Sequence, residues 1–216
     1  MRKLLLSLST LVIICGSLLA FTSSKYPRLQ LKEKAPLTKL KMKDVLNGKE
    51  YSLDKLKRKN GLLVIFSAHS CPCVSGTSTG FIEGWQGRYE EVYQAAKKNK
   101  YGMVLINSSE GDRDGEESLE KLRQQATENN YSMPYLIDTD SQLANAFGAK
   151  TTPDVFLLNK KMELVYVGSI DDNVDNSNKV KETYILDAIS EGAKGIPITV
   201  PKTKNLGCSI KRVSIN

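Results

Sequence analysis

Residues 61–74, GLLVIFSAHSCPCV, set an unbroken apolar run directly against a histidine and two cysteines that flank a proline. A short continuous run rich in Leu, Val, Ile and Phe reads as a buried strand, here Leu62 to Phe66. The polar, sulfur-bearing segment that follows is then a loop at the strand's end, leading into whatever comes next. Three readings of that loop are open: a redox centre, a metal clamp, or two packed thiols.

Working outward, residues from about Phe81 to Lys98 place Ile82, Trp85, Tyr89, Val92 and Ala96 at helical spacing. A second strand is expected at Met103 to Ile106. The stretch GEESLEKLRQQATENN then carries acids in its first turn and Leu119, Leu122 and Ala126 on one face, a helix whose N-terminal dipole is complemented. YLID is a short strand, and Ser141 to Phe147 a brief helix. DVFLLN and LVYVG, joined by a turn at Lys160 and Lys161, read as an antiparallel hairpin. A last helix is expected from about Asn178 to Glu191. Before the first strand, DVLNGKEYSLDKL offers a turn at Asn47-Gly48 and a small hairpin or edge element. Strand and helix alternating, then a hairpin and a closing helix, specify an α/β protein, a three-layer α/β/α sandwich with a mixed central sheet.

A chain of 216 residues is expected to hold one globular domain, at 44–195. The N-terminal MRKLLLSLSTLVIICGSLLAFTSS has a basic start, an apolar run from Leu4 to Ala20 and small polar residues after it, the layout of a signal peptide. Residues 1–23 are therefore expected to be a cleaved signal, or failing that a membrane anchor, with lipid attachment at Cys15 third because Ile13 and Ile14 are too large ahead of it. Residues 24–43, Lys-rich with Pro27 and Pro36, read as a linker or irregular lead-in, and 196–216 as a C-terminal tail carrying Cys208. The expected location is outside the cytoplasm, in the periplasm or cell envelope, with membrane contact only through an uncleaved N-terminus.

Loss of residues 1–23 removes Arg2, Lys3 and Cys15 and lowers the formal net charge from +7 to +5. The remaining lysines are scattered among acids and apolar residues, a solvated face rather than a nucleic-acid site. Three cysteines stay: Cys71, Cys73 and Cys208. An odd count in an oxidising compartment points to chemistry more than to a disulfide scaffold.

A cysteine-proline pair just after the first core strand and Thr152-Pro153 just before a late strand resemble the thioredoxin-like superfamily. More narrowly, LLVIFSAHSCPCV, GMVLINSSEGDRDGEESLEKLRQQA, PYLIDTDSQLANAFGAKTTPDVFLLNKKMELVYVGSIDDN and the tail NLGCSIKR are similar to secreted bacterial redoxins of the alkyl hydroperoxide reductase and thiol-specific antioxidant branch. The resemblance implies a thioredoxin fold, an active site at Cys71, a substrate groove shaped by Pro72, Thr152 and a cis Pro153, and no cofactor. It also implies envelope proteins with cysteines as partners and a thioredoxin-type electron donor. Relatives usually read Cys-x-x-Cys-Pro here. Ala68 stands where the first of those cysteines would be, and Cys73 is an addition.

The chemistry follows from thiolates. A cysteine near a helix N-terminus or a cation has its pKa lowered from about 8.5 toward neutrality and attacks disulfides or peroxides. Cys71 lies at such a strand-to-helix junction, although the SGTSTG run after it leaves the helix geometry open. Inert buried thiols are the plain alternative. Exchange needs a resolving thiol. Cys73 is close, but an i to i+2 disulfide across Pro72 would be distorted and easily reduced. Cys208 serves if the tail folds back over the sheet. His69 is a possible thiolate modulator. The favoured function is an exported thiol-disulfide oxidoreductase acting on protein disulfides or thiols. A thiol peroxidase ranks below it, because Val64 and Ala68 replace the proline and threonine that peroxiredoxins use to hold peroxide. A Cu(I)- or zinc-binding module using Cys71, Cys73 and His69, and a noncatalytic binding domain, complete the alternatives. The carboxylates of GDRDG and IDDN lack the spacing of a calcium loop and read as turns.

Overall fold

The computed structural model describes residues 25–213. The signal or anchor reading of 1–23, with Cys15, lies outside them. A seven-stranded mixed sheet forms the middle layer, in the order β2 (Glu50–Tyr51), β1 (Met42–Asp44), β5 (Tyr135–Ile137), β4 (Tyr101–Asn107), β3 (Gly61–Ser67), β7 (Asp154–Asn159), β8 (Leu164–Gly168). Strands β3, β4 and β5 run parallel, while β7 pairs antiparallel with both β3 and β8. The expected hairpins at 44–53 and 154–168 are both present.

All seven residues of β3 are buried because helices cover both sides of it. The two-residue period sends Leu63 and Ile65 to one core and Leu62, Val64 and Phe66 to the other. The first core is roofed by α3 (Tyr89–Lys98), α4 (Leu119–Glu128) and α6 (Tyr184–Lys194); the second by α1 (Leu53–Leu56), α5 (Gln142–Phe147) and the irregular lead-in. Phe66, Phe147 and Phe156 meet edge-to-face at 5.3–5.7 Å between ring centres, a geometry worth about 0.5–1.5 kcal/mol per pair beyond burial.

Three helical expectations need correction. The helix expected from Phe81 begins at Tyr89, and Phe81 is exposed. The N–H groups of Glu83, Gly84 and Trp85 donate to the carbonyls of Asp175, Val174 and Cys73, across the fold, so no helical turn forms there. The closing helix starts at Tyr184, after a short 3-10 turn at Ser177–Lys179. In α4, Leu122 and Ala126 are buried but Leu119, its first residue, is exposed, and Glu116 and Glu117 precede the helix.

The lead-in and the tail both pack onto this sandwich. Lys32 N–H donates to Leu164 O, Leu29 and Ala35 are buried, and the Arg28 guanidinium makes a two-pronged ion pair with the fully buried Asp154 at 2.6 and 2.8 Å. The tail crosses the end of the sheet, pairing β9 (Cys208–Ser209) antiparallel with β6 (Thr151–Thr152). Among the described residues no helix is long and apolar enough to cross a membrane.

Candidate active site

β3 delivers the chain to the carboxyl end of the parallel strands, where Cys71 caps a single helical turn, α2 (Pro72–Ser75). Pro72 suits the first helical position, since its missing N–H would have no helical partner there. The N–H groups of Val74 and Ser75 return to Cys71 O at 2.8 and 2.9 Å. The turn ends at Gly76, with φ +79°, because a Cβ there would lie 2.5 Å from Glu83 O. The SGTSTG run therefore leaves α2 after Ser75 as a loop that folds back on it, and the helix geometry left open behind Cys71 resolves to one turn.

Cys71 is buried. Its thiol donates to Thr152 O at 2.8 Å and accepts the Cys208 N–H at 3.4 Å. Thr152 precedes Pro153 across a cis peptide bond, as the resemblance implies. Strand pairing sets Cys208 opposite Thr152, so the tail cysteine reaches Cys71 as the fold-back reading requires. The Cys73 and Cys208 thiols lie near enough to the Cys71 sulfur for it to raise the pKa of both. Burial first, then the Cys71 sulfur and Asp175, push the Cys73 thiol up to about 11. Burial, with hydrogen bonding to Cys71 behind it, pushes Cys208 up to about 12.

Both thiols thus hold their protons at neutral pH. A raised folded-state pKa contributes stability that is present below the ordinary thiol value and is lost as pH climbs through the folded one. Iodoacetamide labelling, followed cysteine by cysteine, is expected to be slow at Cys73 and Cys208 until pH approaches about 11 and about 12. Half-labelling at or below the ordinary thiol value of about 8.5 would contradict this packing.

The loop before Cys71 hangs on a residue that local sequence did not single out. Glu117, fully buried, accepts the N–H groups of His69 and Ser70 at 3.0 and 2.9 Å, the Ser70 hydroxyl at 2.6 Å and Asn107 Nδ2 at 2.7 Å. Four donors on one buried carboxylate satisfy its oxygens in the interior and fix the loop's path. Reading Glu117 as a helix-start acid hid this; no spacing signal marks it.

His69 is used through its backbone: its N–H binds Glu117 and its C=O accepts the Ser75 hydroxyl at 2.7 Å. The imidazole Nδ1 is buried without a hydrogen-bond partner, and the ring helps Lys121, the larger influence, hold Glu116 below the ordinary carboxylate range. His69 is thus tied to the acidic side of the loop. Among the described residues no group of three or more His, Cys, Asp or Glu side chains is arranged to hold a metal ion.

On the far side, Trp85 Nε1 donates to Asp171 at 2.8 Å, and Arg88 Nη1 reaches both oxygens of that carboxylate at 2.8 and 2.6 Å. The IDDN segment read as a plain turn is thereby an anchor beneath the loop of Cys73. Tyr89 shares a 3.0 Å hydrogen bond with Ser67 and is held neutral by complete burial.

The Redoxin family model matches residues 30–184, well over half of the chain. The chain belongs to the redoxin family. That membership supports a thioredoxin-like redox function, and the match stops at Tyr184, so the tail with Cys208 lies outside it. No curated protein matches this redoxin in sequence. Among solved structures it is similar to an uncharacterized conserved protein from Geobacillus kaustophilus, 24% identical, with TM-score 0.76 over 88% of this chain and 96% of that one. A hypothetical protein from Sinorhizobium meliloti gives 26% identity and TM-score 0.75 over 88% and 98%. The peroxidoxin BcpB of Mycobacterium tuberculosis, 14% identical, shares the fold at TM-score 0.55 over 78% and 99%.

Proposed function

We propose that this redoxin is an exported thiol-disulfide oxidoreductase in which Cys71 is the nucleophile and Cys208 the resolving thiol. One observation carries the reading: the β6–β9 pairing brings Cys208 against Cys71, with its N–H 3.4 Å from the Cys71 sulfur.

The Cys71 thiolate attacks one sulfur of a partner's disulfide; the partner's S–S bond breaks, and its other sulfur leaves with the electron pair and takes a proton. Cys208, once deprotonated, attacks the Cys71 sulfur of the mixed disulfide and releases the partner's second thiol. The partner disulfide is reduced by two electrons, and Cys71 and Cys208 end as a disulfide. A thioredoxin-type dithiol donor then restores both thiols, becoming oxidised itself. Envelope proteins with cysteines are the partners this chemistry fits, and the signal-like residues 1–23 favour export to the periplasm or cell envelope. Peroxide reduction ranks second because Ala68, buried next to the loop, offers a methyl group where an orienting hydroxyl is needed.

Equilibration in glutathione buffers of graded potential, followed by mass mapping, tests the reading. The expected product is a reversible Cys71–Cys208 disulfide. Failure of Cys71 to form any reversible disulfide would leave the noncatalytic reading standing.

A further inference from the structure

The C-terminal strand is seated as a peptide would be. Cys208 and Ser209 pair with Thr152 and Thr151, and Ile210 N–H continues the ladder to Lys150 O at 3.0 Å. Side chains alternate as in a strand: Cys208 faces Cys71, Ser209 is exposed, and Ile210 is buried in the second core. Asn205 on one side, bonded to Asp154, and Arg212 on the other, bonded to Asn145 at 2.7 Å, pin the segment. The seat itself consists of main-chain groups, which any extended polypeptide can satisfy.

Side-chain selection enters at two points. Gly207 has φ +153°, and a Cβ there would stand 2.2 Å from Thr152 O, a backbone atom fixed by the sheet's edge. Two residues after the cysteine, the seat closes on an aliphatic side chain.

We infer that the tail is a built-in copy of this redoxin's substrate: an extended segment of a partner protein in which glycine immediately precedes the reactive cysteine and an aliphatic residue lies two positions after it. The inference rests on the oxidoreductase reading above and names its substrate class. Tail and substrate are alternatives for one seat, so the return of Cys208 both resolves the mixed disulfide and expels the reduced segment. In the capture step the Cys71 sulfur bonds to the segment's cysteine, the segment's old S–S bond breaks, and the departing thiol carries off the electron pair.

The test uses the full chain with Cys208→Ser and an octapeptide of sequence 205–212 whose cysteine is disulfide-linked to thionitrobenzoate. Capture by Cys71 releases the coloured thiol. The parent peptide is expected to react about tenfold faster than peptides carrying Gly207→Ala or Ile210→Ser. In the intact protein, Gly207→Ala is expected to unseat the tail and speed Cys208 alkylation about tenfold. Equal rates for the three peptides, with cysteine–thionitrobenzoate still discharged by Cys71, would overturn the substrate assignment and leave the oxidoreductase standing. If nothing is discharged faster than by free cysteine, both fall.

Discussion

Replacing Cys208 with serine is expected to stall the redoxin one step into its cycle: Cys71 still attacks a disulfide, but the mixed disulfide it forms persists. Steady-state reduction of a protein disulfide should fall about a hundredfold or more, because the group removed acts only after the first bond is made. Single-turnover release of the first thiol should change far less. The split between those two rates separates a resolving role from a structural one, and mass analysis should show a one-to-one adduct on Cys71. If the adduct accumulates instead in Cys73→Ser while Cys208→Ser turns over freely, Cys73 is the resolver and the tail only covers the site. The geometry favours Cys208, which is presented by a paired strand, whereas Cys73 must close a ring across Pro72.

The second large effect is expected from Asp171→Ala. That carboxylate is buried and serves Arg88, itself 9% exposed, together with the Trp85 ring N–H and the Asn173 N–H. Removing one partner of a buried ion pair costs about 3–5 kcal/mol, since the other charge stays in the interior uncompensated. Glu83 keeps a 3.7 Å ion pair with the other guanidinium nitrogen, Nη2, but is too well solvated to replace the buried carboxylate. Urea unfolding followed through Trp85, the only tryptophan, reads the loss directly. A change under about 1 kcal/mol would mean that this pair behaves as a surface salt bridge. Because the Trp85 backbone N–H donates to Cys73 O, the Cys73 loop should loosen with it, and Cys73 alkylation is the second readout.

The sheet was legible because its strands announce themselves: β3, β4 and β7 are apolar runs long enough to be nothing else, and the turns at Asn47-Gly48 and Lys160-Lys161 separate paired segments. The place of Cys71 followed from the strand before it and Thr152-Pro153 far along the chain. What stayed hidden depends on contacts remote in sequence. Ile82 and Trp85 keep helical spacing, yet the backbone of Ile82 is tied to Thr77, and the N–H groups of Glu83, Gly84 and Trp85 are claimed by Asp175, Val174 and Cys73. Glu117 looks like any acid ahead of a helix until the fold sets it under residues 69 and 70. The docking of Cys208 required knowing that a two-residue edge at Thr151–Thr152 was free to accept a strand.

Asp154 has a consequence for how the molecule bears force. Arg28, near the start of the described chain, and Asn205, near its end, both grip this carboxylate, one residue beyond Pro153. The described chain is thereby closed into a ring by a noncovalent stitch at the edge of the candidate site. A pull on either end of the described chain draws on the same carboxylate, the first residue of β7, so the load enters the sheet beside the seat of the tail.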